Sequence, residues 1–289
     1  MRLLLLLLPL SLFANLNIAV SYPYIGAIVK SIGADKINTI VLAKGNWDPH
    51  FIIPRPSLIS KVRNADGLVI NGAQLEIGWL PALIKRAGNP KTNINAKTFL
   101  NLSNYVNLIN KPQSVDRSGG DLHPNGNPHF HLDPNNILIL SNVIKEYLSS
   151  IDMDNAELYK KNYQTFAKMW KNKIKFWNEK MIDKKGFKVI QFHNNLAYFL
   201  KAYSLKNIGT IEPLPGIPPS SRHTMDLIKL IKTEKPFCIL HDVYHSTKTA
   251  KYISSKTGIP VILMPHDIKA LDSIDDLTSL FDYLTDAIK

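Results

Sequence analysis

The chemistry of this chain is concentrated in imidazole. Three of its nine histidines, His123, His129 and His131, fall within GDLHPNGNPHFHLDP at 120–134. Pro124, Pro128 and Pro134 exclude a helix there, and the Gly and Asn residues between them break any regular strand. The segment is therefore a loop ending at a turn, and loops on a rigid scaffold are where ligands are presented. Neutral imidazole is the commonest biological metal ligand. Three imidazoles with a carboxylate or a water suit tetrahedral Zn2+, and nickel or copper accept the same nitrogen-rich set. Calcium and magnesium prefer oxygen and would not.

Two further histidines share the setting. His50 follows VLAKGNWDP just past a predicted strand, and His193 ends the strand FKVIQFH. Taken singly, either is a polar loop residue or a satisfied, half-buried one, as lone histidines usually are. The joint pattern says more. DPH at 48–50 and NPH at 127–129 are the same tripeptide with Asp exchanged for Asn, each followed by an aromatic residue and a Pro-containing turn.

The elements around these residues repeat a β–α–β plan twice. NIAVSY, INTIVLAKG and GLVING read as strands, with helices PYIGAIVKSIGAD and PSLISKVRNA between them and GWLPALIKRAG after, Pro81 sitting in the first turn of that last helix. The second half places FKVIQFH, KNIGTIEP, PFCILHD and PVILMPHD as strands. Between and after them lie the helices NLAYFLKAYSL, TMDLIKLIKTE, HSTKTAKYISSKTG and LTSLFDYLTDAI. Between the halves, roughly 155–183 has no Gly or Pro. Tyr159, Tyr163, Phe166, Met169 and Trp170 recur there at three- and four-residue steps, which predicts one stiff helix with an inward aromatic face. The expected fold class is α/β: two lobes with mainly parallel sheets flanked by helices, bridged by one long rigid helix. The expected organisation is a signal peptide at 1–14, an N-terminal lobe at 15–135, connecting helices at 136–184 and a C-terminal lobe at 185–289. Ligands of open parallel sheets bind outside the carboxyl ends of the strands, so His50, His129 and His193 would meet in the cleft between the lobes.

The opening MRLLLLLLPLSLFA has a basic residue, an apolar run and a small residue, the layout of a secretory signal with cleavage after Ala14. It is too short for a membrane span, which needs about 20 apolar residues. A soluble protein outside the cytoplasm, in the periplasm, is expected. The single cysteine, Cys238, excludes an internal disulfide and reads as a buried small hydrophobe in FCIL. The formal charge of +12 is spread along the chain without a nucleic-acid motif, so it is read as a solvated surface and no nucleic acid is expected as a partner.

Taken together, these motifs resemble the metal-binding cluster of ABC-transporter solute-binding proteins, the periplasmic zinc and manganese carriers. DPHFIIPRPSLISKVRNADGLVINGAQLEIGWLP resembles the first ligand segment of that family, GNPHFHLDP its second and VIQFHNNLAYFLKAYSL its third. The resemblance spans nearly the whole chain beyond the signal. It implies capture of a metal by His50, His129 and His193, delivery to a membrane permease, and action as a monomer. The family's fourth ligand is often an Asp after the last strand. Here VILMPHDI puts Met264 at that position when aligned on Leu-X-Pro, so Asp267 is favoured slightly, with Asp242 or a water as the alternative. Manganese-type relatives commonly carry a carboxylate where this chain has His193, so Zn2+ is the expected cargo and Mn2+ the less favoured one. The resemblance also makes GGDLHPNGNPHFH a modest version of a zinc-type His-rich loop, with His123 and His131 as auxiliary imidazoles. Glu212, Asp48 and Asp133 could orient imidazoles by accepting their second N–H, Asp48 and Asp133 being equally suited to turns or caps.

Two other functions share these features. A zinc hydrolase also uses three histidines and a water, but it needs a placed base, and neither HExxH nor GxSxG is present. No enzymatic activity is therefore expected. A metal-binding adhesin on the same fold would share the site.

Overall fold

The computed structural model describes residues 15–112 and 123–288; the signal read at 1–14 lies outside them. Among these residues, two four-stranded sheets carry the architecture. The first is built from β1 (Leu16–Val20), β2 (Ile37–Val41), β3 (Gly67–Ile70) and β4 (Phe99–Asn101), in the order β2-β1-β3-β4. The second is built from β5 (Lys188–Gln191), β6 (Lys206–Thr210), β7 (Cys238–His241) and β8 (Val261–Leu263), in the order β6-β5-β7-β8. All neighbours are parallel. Both sheets therefore have the same topology, with a switch point between the first and third strands, where parallel sheets open a crevice at their carboxyl ends. The central strands β1, β3 and β7 are largely apolar, as strands covered by helices on both faces are, whereas the edge strand β6 (KNIGT) is mostly polar. Cys238 is fully buried in β7, as expected of the FCIL run.

The first lobe's helices start where the sequence says they should. α1 (Pro23–Gly33), α2 (Pro56–Arg63) and α3 (Leu80–Ala87) all carry proline in the first turn, where its missing N–H is no loss. Gly88 closes α3 in the left-handed conformation. α4 (Pro134–Ile151) begins at Asp133, whose carboxylate accepts from the Asn135 N–H at 2.8 Å, so Asp133 serves as a cap. α5 (Ala156–Lys180) is the long helix foreseen at about 155–183. Tyr159, Phe166 and Trp170 face inward and Tyr163 is half-buried, but Met169 is 40% exposed and Trp177 fills the inner face instead. The second lobe adds α6 (Ala197–Ala202), shorter than the predicted helix, then α7 (Ser221–Glu234), α8 (Lys248–Thr257) and α9 (Leu277–Asp286).

One hydrophobic core runs from the first sheet through α1, α4 and α5 into one face of the second sheet and α9. A smaller cluster, including Ile190, Ile211, Leu227, Ile239 and Ile253, fills the other face under α7 and α8. α9 packs on the bridging helix: the Phe281 ring lies 5.6 Å from Trp170 and 5.0 Å from Trp177, and the Trp177 indole donates to Asp282 at 2.7 Å.

The lobes also meet through loops. The segment after β8 presses against the first lobe so closely that a side chain at Gly45 would sit 1.8 Å from the Ile268 carbonyl oxygen. His131 Nε2 donates to the His266 carbonyl at 2.8 Å, and Asn127 donates to the Asn194 carbonyl at 2.6 Å. Among the described residues, no helix is long and apolar enough to cross a membrane.

Candidate metal centre

Each of the three singled-out histidines is set by a local device at the carboxyl end of a sheet. His50 sits in an Asx-type turn, with Asp48 Oδ1 accepting both its backbone N–H and its ring Nδ1 at 2.9 Å. Asp48 thus fills both roles foreseen for it. The turn is pinned from below, because the Pro49 carbonyl accepts from the Tyr22 hydroxyl at 2.9 Å and the Trp79 indole at 3.3 Å. His129 leads into a 3-10 turn at Phe130–Leu132, and its backbone N–H is held by Asn127 Oδ1 at 3.0 Å. Asn71, just past β3, ties this loop down by donating to the Pro128 carbonyl at 3.1 Å. His193 stands two residues beyond β5, and its Nδ1 donates to Glu212 Oε2 at 2.7 Å. Glu212 follows β6, where its backbone N–H continues the ladder to the Phe192 carbonyl at 3.0 Å.

These devices bring one ligand atom from each of His50, His129 and His193 within 4.8 Å of one another. The ring centroids lie 5.3 Å (His50–His129), 5.3 Å (His50–His193) and 5.7 Å (His129–His193) apart. Carboxylates occupy Nδ1 of His50 and of His193, which fixes the tautomer and leaves Nε2 of each ring as the nitrogen a metal could take. His129 is 1% exposed, and neither of its ring nitrogens has a hydrogen-bond partner among the described residues. Burial, reinforced by the neighbouring imidazoles, holds its pKa well below the usual histidine value. The ring is therefore neutral, the state that binds a metal. Burial opposes ionisation of Asp48, but the N–H groups of His50 outweigh it and keep the carboxyl below its ordinary range.

The two carboxylates weighed as fourth ligands are not gathered with the imidazoles. Asp267 accepts from the Ile268 N–H at 2.7 Å, and its burial pushes the carboxyl well above its ordinary value. Asp242 accepts from the Tyr244 and His245 N–H groups and, through Oδ2, pairs with His245 Nδ1 at 3.0 Å. His123 lies beside the site, its ring centroid 5.4 Å from that of His50. His131 is buried, stacks on Tyr24 at 4.3 Å and spends Nε2 on the contact between the lobes. Of the remaining histidines, His241 is buried with Nδ1 on the Asp242 carbonyl, His223 hydrogen-bonds the Thr210 carbonyl, and His266 packs edge-on to Tyr244. His245 Nε2 reaches within 3.8 Å of Glu212 Oε1, so it touches the support of His193. The spacing of Asp242 and His245 across DVYH was the available signal for that pair. Glu76 and Asn71, which hold the end of β3, carried none.

The chain matches, over residues 18–289, the family described as "Zinc-uptake complex component A periplasmic". It belongs to that family, and so to the metal-binding solute-binding proteins of ABC transporters, which capture and deliver a solute instead of transforming it. Among its relatives is a metal ABC transporter substrate-binding lipoprotein of Lactococcus lactis subsp. lactis (strain IL1403), 27% identical over 264 residues, covering 86% of this chain and 77% of that one. The zinc-binding lipoprotein AdcA of Streptococcus pneumoniae (strain R6) is 23% identical over 247 residues, 85% of this chain and 48% of that one. The iron ABC transporter substrate-binding lipoprotein MtsA of Streptococcus pyogenes serotype M1 is 26% identical over 255 residues, 86% and 78% of the two chains. A crystal structure of ZnuA has the same fold, with a TM-score of 0.79 at 23% identity over 95% of this chain and 97% of that one.

Proposed function

We propose that this chain captures Zn2+ in the cleft between its lobes, on His50, His129 and His193, and passes it to the permease of an ABC transporter. The observation that carries the reading is the convergence of three imidazoles from both lobes, two of them oriented by carboxylates through Nδ1. Relatives are named for zinc and for iron, so family membership leaves the metal open and ligand chemistry has to choose it. A nitrogen set with no carboxylate gathered into it favours zinc over the oxygen-seeking Mn2+. On this reading residues 15–135 and 185–289 are the lobes and 136–184 the connecting helices. Residues 1–14 direct export to the periplasm, and the protein acts as a monomer.

The test is a competition titration of the metal-stripped protein with Zn2+ and Mn2+. One zinc per chain, retained against excess manganese, is the expected result, and preference for manganese would overturn the zinc assignment. His193→Ala should weaken zinc binding by orders of magnitude while leaving the thermal unfolding of the metal-free protein nearly unchanged, because the ring sits at a cleft and not in the core. Undiminished affinity in that variant would remove His193 from the site.

A further inference from the structure

We infer that His123 supplies the fourth ligand, closing an all-imidazole shell around the metal. The inference rests on the zinc-site reading above and adds to it a residue from the proline-rich loop.

Three observations meet at this side chain. Its ring is roughly parallel to that of His50, at 5.4 Å and an interplanar angle of 29°. It lines the same small cavity, of about 70 Å³, as His129 and His193. Its Nε2 is buried without a hydrogen-bond partner among the described residues, and a buried polar atom in that condition calls for an explanation such as an ion. His131, His241 and His266 also bury a ring nitrogen without a partner, but none of them lines this cavity.

The loop holds His123 there deliberately. The Gly126 N–H donates to the His123 carbonyl at 3.0 Å, and the Asn127 N–H to the Ile109 carbonyl at 2.8 Å. Gly126 has φ +114°, and a side chain on it would meet the Ile109 carbonyl oxygen at 2.8 Å, so the turn requires glycine. Tyr198 of the second lobe clamps both strands of the loop, accepting from the Ile109 N–H at 3.1 Å and donating to the Asn127 carbonyl at 2.8 Å.

Geometry also says what remains to happen. A tetrahedral zinc with Zn–N bonds of about 2.0–2.1 Å places its ligand nitrogens about 3.3 Å apart. The three clustered atoms, within 4.8 Å of one another, must therefore draw together. His123 stands one step further out than they do and closes over the ion in the same contraction. Two of the four ligands then come from one loop, and no carboxylate enters the shell. That composition disfavours manganese more strongly than three imidazoles alone.

The experiment is zinc K-edge absorption spectroscopy with competition titration on wild type, His123→Ala, His123→Phe and Asp267→Asn. The Phe variant keeps a ring against His50 but removes the ligand atom. Wild type and Asp267→Asn should show four imidazoles; both His123 variants should show three imidazoles and one oxygen, with zinc affinity lower by about tenfold or more. Three imidazoles and an oxygen in wild type, with His123→Phe binding equally tightly, overturn the assignment of His123 and leave the three-histidine site standing. Loss of a carboxylate signal in Asp267→Asn would likewise overturn it, in favour of Asp267. No tight zinc in wild type would overturn the zinc-site reading itself, and this inference with it.

Discussion

At the scale of single residues, the carboxylates behind the candidate ligands His50 and His193 set how those rings are held. Glu212 and Asp48 each accept from an Nδ1–H, and an imidazole so held is a better and better-aimed ligand. Glu212→Gln should lower zinc affinity by about 10–100-fold without emptying the site, as measured by competition with a chromophoric chelator. An unchanged affinity would mean that the backbone alone orients His193. The histidines themselves were readable because a strand-end His is a local signal, repeated in DPH and NPH. The choice among Asp267, Asp242 and a loop imidazole was not readable, since it depends on how loops from two lobes converge. His131 shows the same limit. It sits two residues from His129, yet the 3-10 turn sends its ring the other way, onto Tyr24 and the His266 carbonyl.

At the scale of elements, the end of β3 is the least obvious part of the site's support. Glu76 accepts from the Asn71 and Gly72 N–H groups at 2.8 and 3.0 Å, and Asn71 in turn holds the Pro128 carbonyl ahead of His129. Burial raises the Glu76 carboxyl to about 7, against the hydrogen bonds that lower it. The folded state therefore binds a proton at this position more readily than the unfolded chain. The resulting stability is fully present below about pH 4.5 and is lost as pH rises toward 7, at up to about 1.4 kcal/mol per pH unit. Glu76→Gln cannot titrate, so its stability relative to wild type should improve steadily from pH 5 to pH 7 in urea unfolding of the metal-free protein. A constant difference between the two proteins would show that Glu76 is ionised throughout. The helices were legible from their prolines, caps and periodicity. Met169 was misplaced because an aromatic and apolar stripe on α5 is wider than the face that the core covers, and Trp177, two turns beyond Trp170, takes the inner position.

At the scale of the whole molecule, two sheets of identical strand order share one core. The repeated β–α–β plan revealed the topology, but nothing in it announced that α9 would leave its own lobe to pack on α5. That packing depends on a meeting of Phe281 with Trp170 and Trp177 across more than a hundred residues of chain, which no local pattern encodes. A continuous core predicts one cooperative unfolding transition for both lobes. Phe281→Ala should lower the stability of the metal-free protein by about 3–5 kcal/mol while keeping a single calorimetric peak. Two separated peaks in wild type would mean that the lobes unfold independently.

The position of α9 also bears on timing. A chain is made from its N-terminus onward, and Trp170 and Trp177 are finished long before the helix at Leu277–Asp286 that covers them. The bridging helix must wait, indoles uncovered, until synthesis has passed the Leu277–Asp286 segment. The order of manufacture and the order of assembly therefore differ, and the long helix α5 is covered only by a helix made well after it.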